Sequence, residues 1–226
     1  MGIDYNNVIV TDGLSVYLDA ANTRSYSGSG NTWYNLISGA IGGTMVGVGY
    51  STLNGGYFTF AGAQYMTFAN TPAVGQSTLS STVEIISYRT TFDFGVMFGG
   101  GGYAANQSYW FGHRNASDNF MMAYFGNDSD TATPTVNAAW NQYVALYDNS
   151  IGRRATFFNG SILKNEATSV PNTTNSSYYL GAFRESAAGA AAYQYIGRIA
   201  SLKIYNRVLT AQEILQNYNA TKSRYV

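Results

Sequence analysis

Hydrophobic and polar residues alternate along much of this 226-residue chain, the period-two pattern of strands that bury one face. Gly13–Ala20 is a first core strand. Further strands are expected at Tyr57–Phe60, Tyr65–Phe68, Val83–Tyr88, Phe94–Phe98, Ser108–Gly112, Phe120–Phe125, Gln142–Tyr147, Arg154–Phe158 and Tyr178–Phe183. Turn residues separate them: Asn54-Gly55-Gly56, Gly99–Gly102 (a flexible hairpin tip), Gly126–Pro134 and Asn159-Gly160. Asn159-Gly160, set between Phe157-Phe158 and Ile162-Leu163, is a hairpin signal.

The last thirty residues carry the sharpest local signals. In Tyr195–Tyr205, Leu202 and Ile204 fall on one face and Ser201, Lys203 and Tyr205 on the other. The pattern slips near Arg198-Ile199, which predicts a bulge or twist. Thr210-Ala211-Gln212-Glu213 matches a capping box, with Leu209 and Ile214 placed as a hydrophobic staple. The helix that follows is expected to present Ile214, Leu215 and Tyr218 on one face, and Glu213 reads as a cap. Many short strands at spacings of roughly 8 to 15 residues indicate a sandwich or barrel. With no repeat and no linker, the chain divides into an arm or leading strand, residues 1–12, and a single domain, residues 13–226.

Four segments, in order, resemble one family: Gly13–Asn22; Trp33-Tyr34-Asn35-Leu36 with Gly42-Gly43-Thr44; Trp140–Asp148 leading into Phe157-Phe158-Asn159-Gly160; and Tyr195–Tyr225. The chain resembles the concanavalin-A-like superfamily, and within it the laminin-G-like domains common in bacteriophage virion proteins and bacterial surface proteins. The resemblance implies an all-β fold: a two-sheet antiparallel jelly-roll sandwich with one short C-terminal helix. There are departures. The segment Phe60–Tyr65 lacks the paired acidic residues frequent in such domains, and Gly197–Ser201 lacks a carboxylate. Both weaken any inherited calcium site.

Composition narrows the function. Charged residues are 11% of the chain and the net charge is zero, against a usual charged fraction of about 25%. That speaks against a nucleic-acid footprint or a polybasic membrane patch, and no apolar run is long enough for membrane insertion. The absence of cysteine removes disulfides, thiolate metal sites and cysteine nucleophiles. Met1–Asn7 has neither the basic nor the apolar region of a signal peptide, so synthesis in the cytoplasm without export is expected. Asn-x-Ser/Thr triplets, as at Asn106, Asn115 and Asn172, arise by chance in so Asn-, Ser- and Thr-rich a chain.

Catalytic chemistry is not evident. Glycosidases on this fold place carboxylates at close, even spacing along a strand, whereas Glu84, Glu166 and Glu185 stand alone. His113 is the sole histidine, no Gly-x-Ser-x-Gly elbow is present, and zinc would need more ligands. The expectation is therefore no enzyme. Asp128 and Asp130, two residues apart in an Asn/Asp/Ser stretch read as a loop, are the candidate calcium ligands; a solvated turn is the competing reading. Otherwise no cofactor is expected. For a glycan, which stacks on aromatic rings and bonds to polar side chains, the candidates are Tyr109, Trp110, His113, Arg114, Asn115 and Asp118. Tyr103, Phe183 and Arg184 could approach from neighbouring loops, and the competing reading places these aromatics in the core.

The resemblance implies, first, a non-enzymatic structural protein on a phage virion surface: a capsid decoration or cement protein, or a head or tail fibre component. Its partners would be other virion proteins and copies of itself, and residues 1–12 would dock on a neighbour. The alternative is a lectin-like carbohydrate-binding module for host-surface adsorption.

Overall fold

Alternation becomes two antiparallel sheets of eight strands each in a computed structural model of the chain. The structure describes residues 8–69, 73–91, 94–114, 119–132, 138–173, 177–183 and 192–225. In chain order the strands are β1 (Leu14–Asp19), β2 (Thr32–Tyr34), β3 (Ile41–Val46), β4 (Gly49–Ser51), β5 (Tyr57–Ala61), β6 (Tyr65–Phe68), β7 (Ser81–Arg89) and β8 (Gly95–Gly101). Then come β9 (Ser108–Arg114), β10 (Asn119–Ala123), β11 (Asp128–Ala132), β12 (Trp140–Asp148), β13 (Arg153–Phe158), β14 (Ser161–Ala167), β15 (Tyr178–Leu180) and β16 (Ile196–Tyr205). Among the described residues one α-helix, α1 (Ala211–Thr221), follows the last strand. The first sheet runs β14-β13-β12-β7-β16-β5-β4, with β1 also on β16; the second runs β11-β10-β9-β8-β15-β6-β3-β2.

The inner faces of both sheets meet in one aromatic core. Phe58, Tyr143 and Leu202 of the first sheet pack with Trp33, Phe98, Tyr109 and Phe111 of the second. The expected slip in the last strand is a register shift between Ile199 and Ser201. Asn159 and Gly160 turn the β13–β14 hairpin with φ of 48° and 79°, the left-handed pair that a type I′ turn requires.

Two expected loops are corrected. Gly99–Gly101 is not a loop tip but the buried end of β8. A Cβ on Gly99 would sit 2.8 Å from the Tyr109 carbonyl oxygen, and one on Gly100 would sit 2.6 Å from that of Ser177. The glycines let neighbouring strands close in. Likewise Asp128–Ala132 is the edge strand β11 rather than a loop, its polar sequence suiting an edge.

The outer face of the first sheet is covered by α1 and residues 8–12. Thr210 caps the helix, its Oγ1 accepting from Glu213 N at 3.2 Å while Glu213 Oε2 accepts from Thr210 N at 2.8 Å. Leu209 and Ile214 both enter the cluster beneath. The buried stripe differs from the expected one: Ile214, Asn217 and Thr221 face inward, while Leu215 is 45% exposed. Asn217 points inward because it has partners there. Its Nδ2 donates to Glu84 Oε2 at 2.8 Å, and its Oδ1 accepts from Val10 N at 2.8 Å. Glu84 also pairs with Lys203 Nζ at 2.6 Å, both side chains fully buried. Residues 8–12 are thus seated on the chain's own domain, where Tyr205 also donates to the Val10 carbonyl.

Candidate functional site

Among the described residues, the second sheet carries no helix on its outer face; it carries aromatic side chains. Strand β9 alternates through its whole length. Tyr109, Phe111 and His113 point into the core, and Trp110, Gly112 and Arg114 point outward. In register, Tyr179, Gly99, Trp110, Ala123 and Asp128 form one row across β15, β8, β9, β10 and β11. Gly99 leaves space beside Trp110, and Phe183 fills it: its ring lies 4.8 Å from the indole.

Four further rings surround the indole: Tyr193 at 5.1 Å, Phe94 at 5.8 Å, Tyr103 at 6.1 Å and Phe125 at 6.3 Å. Trp110 and Phe183 are buried at the base. Tyr103, Phe125 and Tyr193 form a rim, 38%, 36% and 38% exposed. Among the described residues, Trp110 Nε1 has no hydrogen-bond partner.

Two rim residues stand on backbone that bulky side chains rarely adopt: φ is 60° at Phe125 and 50° at Tyr193. Phe125-Gly126 is the two-residue turn of the β10–β11 hairpin, a place that Asn-Gly or Gly-Gly usually takes. Neighbours hold the turn in place. Asn106 N donates to the Phe125 carbonyl at 3.1 Å, Tyr124 N to that of Asn127 at 3.2 Å, and Arg154 Nη1 to the same Asn127 oxygen at 2.7 Å. Val96 N likewise donates to the Tyr193 carbonyl at 2.8 Å. Left-handed backbone costs an L-residue roughly 1–2 kcal/mol, and strain of this kind gathers at functional sites.

Beside the rings lies a charged patch. Arg114 Nη2 contacts Asp128 Oδ2 at 2.6 Å and its Nε contacts Asp130 Oδ1 at 3.0 Å, while the guanidinium lies 5.6 Å from the Phe94 ring centre. Burial disfavours the Arg114 charge, but the two carboxylates outweigh this and raise its pKa.

The candidates from sequence therefore divide. Trp110 and Arg114 share the outer face. Tyr109 and His113 are fully buried, His113 against Tyr143 of the first sheet with ring centres 4.9 Å apart, so no sugar at the surface reaches them. Burial, with Arg89 nearby, depresses the His113 pKa and keeps the ring neutral. Asn115, Asp118 and Arg184 lie outside the described residues. Asp128 and Asp130 do converge, on Arg114 rather than around an open cation site. Among the described residues no three His, Cys, Asp or Glu side chains group to hold a metal. Phe94, Phe125 and Tyr193 were missed. A Phe-Gly pair at a hairpin turn, where Asn-Gly is usual, was the available signal.

The family model of the concanavalin A-like lectin/glucanases superfamily matches residues 60–215. No curated protein matches the chain. Among solved structures, domain 4 of AbnA, an extracellular arabinanase of Geobacillus stearothermophilus solved with arabinotriose, aligns with a TM-score of 0.64 at 15% identity. The alignment covers 91% of this chain and 98% of that one. The CBM40 of Ruminococcus gnavus IT-sialidase, bound to α2,3-sialyllactose, gives 0.59 at 15% identity over 70% of this chain and 94% of its own. Trypanosoma rangeli sialidase, solved with sialic acid, gives 0.68 at 14% identity over 96% of this chain but 34% of that chain.

Proposed function

The chain belongs to the concanavalin A-like lectin/glucanase superfamily, and from that membership we propose that it is a carbohydrate-binding module that takes a glycan on the outer face of its second sheet. The observation carrying this is the Trp110 platform, whose exposed rim includes two aromatic residues on left-handed backbone. An aromatic rim beside hydrogen-bonding groups suits the apolar faces and the hydroxyls of a sugar. Domains of like fold that were solved with arabinotriose and with sialyllactose support the reading. Binding rather than turnover fits these described carboxylates. Glu84 is sealed beneath α1 with Lys203, and Asp128 and Asp130 are held by Arg114.

The virion role implied by the sequence resemblance, in capsid or tail, draws no support from the matched family or from these structures, nor does assembly with copies of itself. The carbohydrate-binding alternative is the one they support.

The test is binding of the chain to an array of oligosaccharides and polysaccharides, with Phe125→Asn and Tyr193→Ala alongside. At least one glycan is expected to bind, and each rim variant to weaken it about tenfold, stacking on one ring being worth roughly 1–3 kcal/mol by analogy with bases on aromatic side chains. Binding untouched by both variants would remove this face from consideration.

A further inference from the structure

Resting on the carbohydrate-binding reading, we infer that the glycan is uncharged: a neutral oligosaccharide rather than a sialylated or otherwise anionic one. The ground is the charge arrangement beside Trp110. Recognition of an anionic sugar calls for a cation with free N–H groups. Arg114, which shares the outward face of β9 with Trp110, has its Nη2 and Nε edges committed to Asp128 and Asp130 at 2.6 and 3.0 Å. The strand register makes this arrangement rigid. Asp128 and Asp130 lie two apart on β11, on one face, opposite Ala123 and Met121 of β10, and Arg114 reaches them from β9.

Among the described residues, one guanidinium against two carboxylates leaves a surplus negative charge there. All three side chains are partly open to solvent, at 27%, 32% and 31%, so an arriving anion meets that charge. To reach the Nε and Nη2 edge of the guanidinium it would have to displace a carboxylate already bonded there. A neutral sugar faces no such barrier, because its hydroxyls donate to carboxylate oxygens and its C–H faces lie on Tyr103, Phe125 and Tyr193. The patch therefore rejects anions as much as it attracts hydroxyls, and specificity can come from either.

Calorimetric titration of the intact chain with arabinotriose, cellotriose and maltotriose, and with 3′-sialyllactose, at low and at high salt, tests this. A neutral trisaccharide is expected to bind at least about tenfold tighter than sialyllactose, given the cost of like charges in contact, and to be indifferent to salt. The paired substitution Asp128→Asn with Asp130→Asn frees Arg114 and is expected to raise sialyllactose affinity several-fold. Sialyllactose binding the unaltered chain as tightly as the neutral sugars would overturn the charge inference and leave the carbohydrate-binding reading standing. Unchanged sialyllactose affinity in the doubly substituted chain would overturn the role given to the two aspartates. No binding of any saccharide here or on the array would overturn the reading itself, and the inference with it.

Discussion

Phe125 occupies a turn position where asparagine or glycine would cost less, and its ring is 36% exposed at the edge of the Trp110 platform. The ring lies 5.7 Å from Tyr103 and 6.3 Å from Trp110, outside the core between the sheets. Phe125→Asn relieves about 1 kcal/mol of backbone strain, which offsets the loss of a half-exposed ring. The melting temperature is expected to stay within about 3 °C of the parent, while glycan affinity falls about tenfold. Phe111→Ala, at a fully buried position one residue beyond Trp110, is the contrast: roughly 3–5 kcal/mol of stability is lost. Differential scanning calorimetry separates the two. At this scale the sequence was half legible. Strict alternation through Arg114 would have sorted Trp110 and Arg114 from Tyr109 and His113. Ending the expected strand at Gly112 cut it short and left His113 among the glycan candidates.

Local signals carried the elements well. Thr210–Glu213 is the capping box its residues spell, and Arg207 adds a two-pronged contact to the Glu213 carboxylate at 2.6 and 3.0 Å. The Asn159-Gly160 hairpin and the bulge after Ile199 were equally legible. What failed was pairing at long range. Glu84 read as isolated, yet it lies directly opposite Lys203 across β7 and β16, 119 residues away in sequence. Long range likewise hid the inward turn of Asn217, whose partners Glu84 and Val10 lie 133 and 207 residues away in sequence. Glycines in β8 were misread for a related reason, because the carbonyls that crowd them belong to other strands. The buried pair makes a sharp forecast. Lys203→Met alone strands a carboxylate under α1 and is expected to cost roughly 3–5 kcal/mol, whereas Lys203→Met with Glu84→Gln is expected to recover to within about 1 kcal/mol of the parent. Urea denaturation midpoints of the two variants measure the difference.

For the whole molecule, acid is the condition that loosens the sandwich. Burial holds the His113 pKa well below 6.5 in the folded chain. Unfolding restores the ordinary value and takes up a proton, so stability is full above about pH 6.5 and declines as pH falls below it. Hydrogen bonding to Arg207 holds Glu213 at about 2, and the bonds that Glu166 receives from Ser129, Lys164 and Arg154 outweigh its burial and bring it to about 2 as well. These depressed carboxylates contribute stability above about pH 4.5 that is lost as pH drops toward 2. Thermal unfolding across pH is therefore expected to show a shallow decline below about 6.5 and a steeper one below about 4.5. A profile rising on acidification would contradict both assignments.

The molecule also supplies its own controls for the proposed binding face, since its three tryptophans occupy three environments. Trp110 lies at the base of the outer patch of the second sheet, Trp33 in the core between the sheets, and Trp140 against Tyr57, Tyr88 and Tyr225 on the first sheet. Each gives one indole N–H resonance in a nitrogen-15 correlation spectrum. On titration with the best-binding neutral oligosaccharide, the Trp110 resonance is expected to move progressively to saturation while those of Trp33 and Trp140 stay in place. A still Trp110 signal under saturating sugar, or movement confined to Trp140, would contradict the assignment of glycan binding to this face.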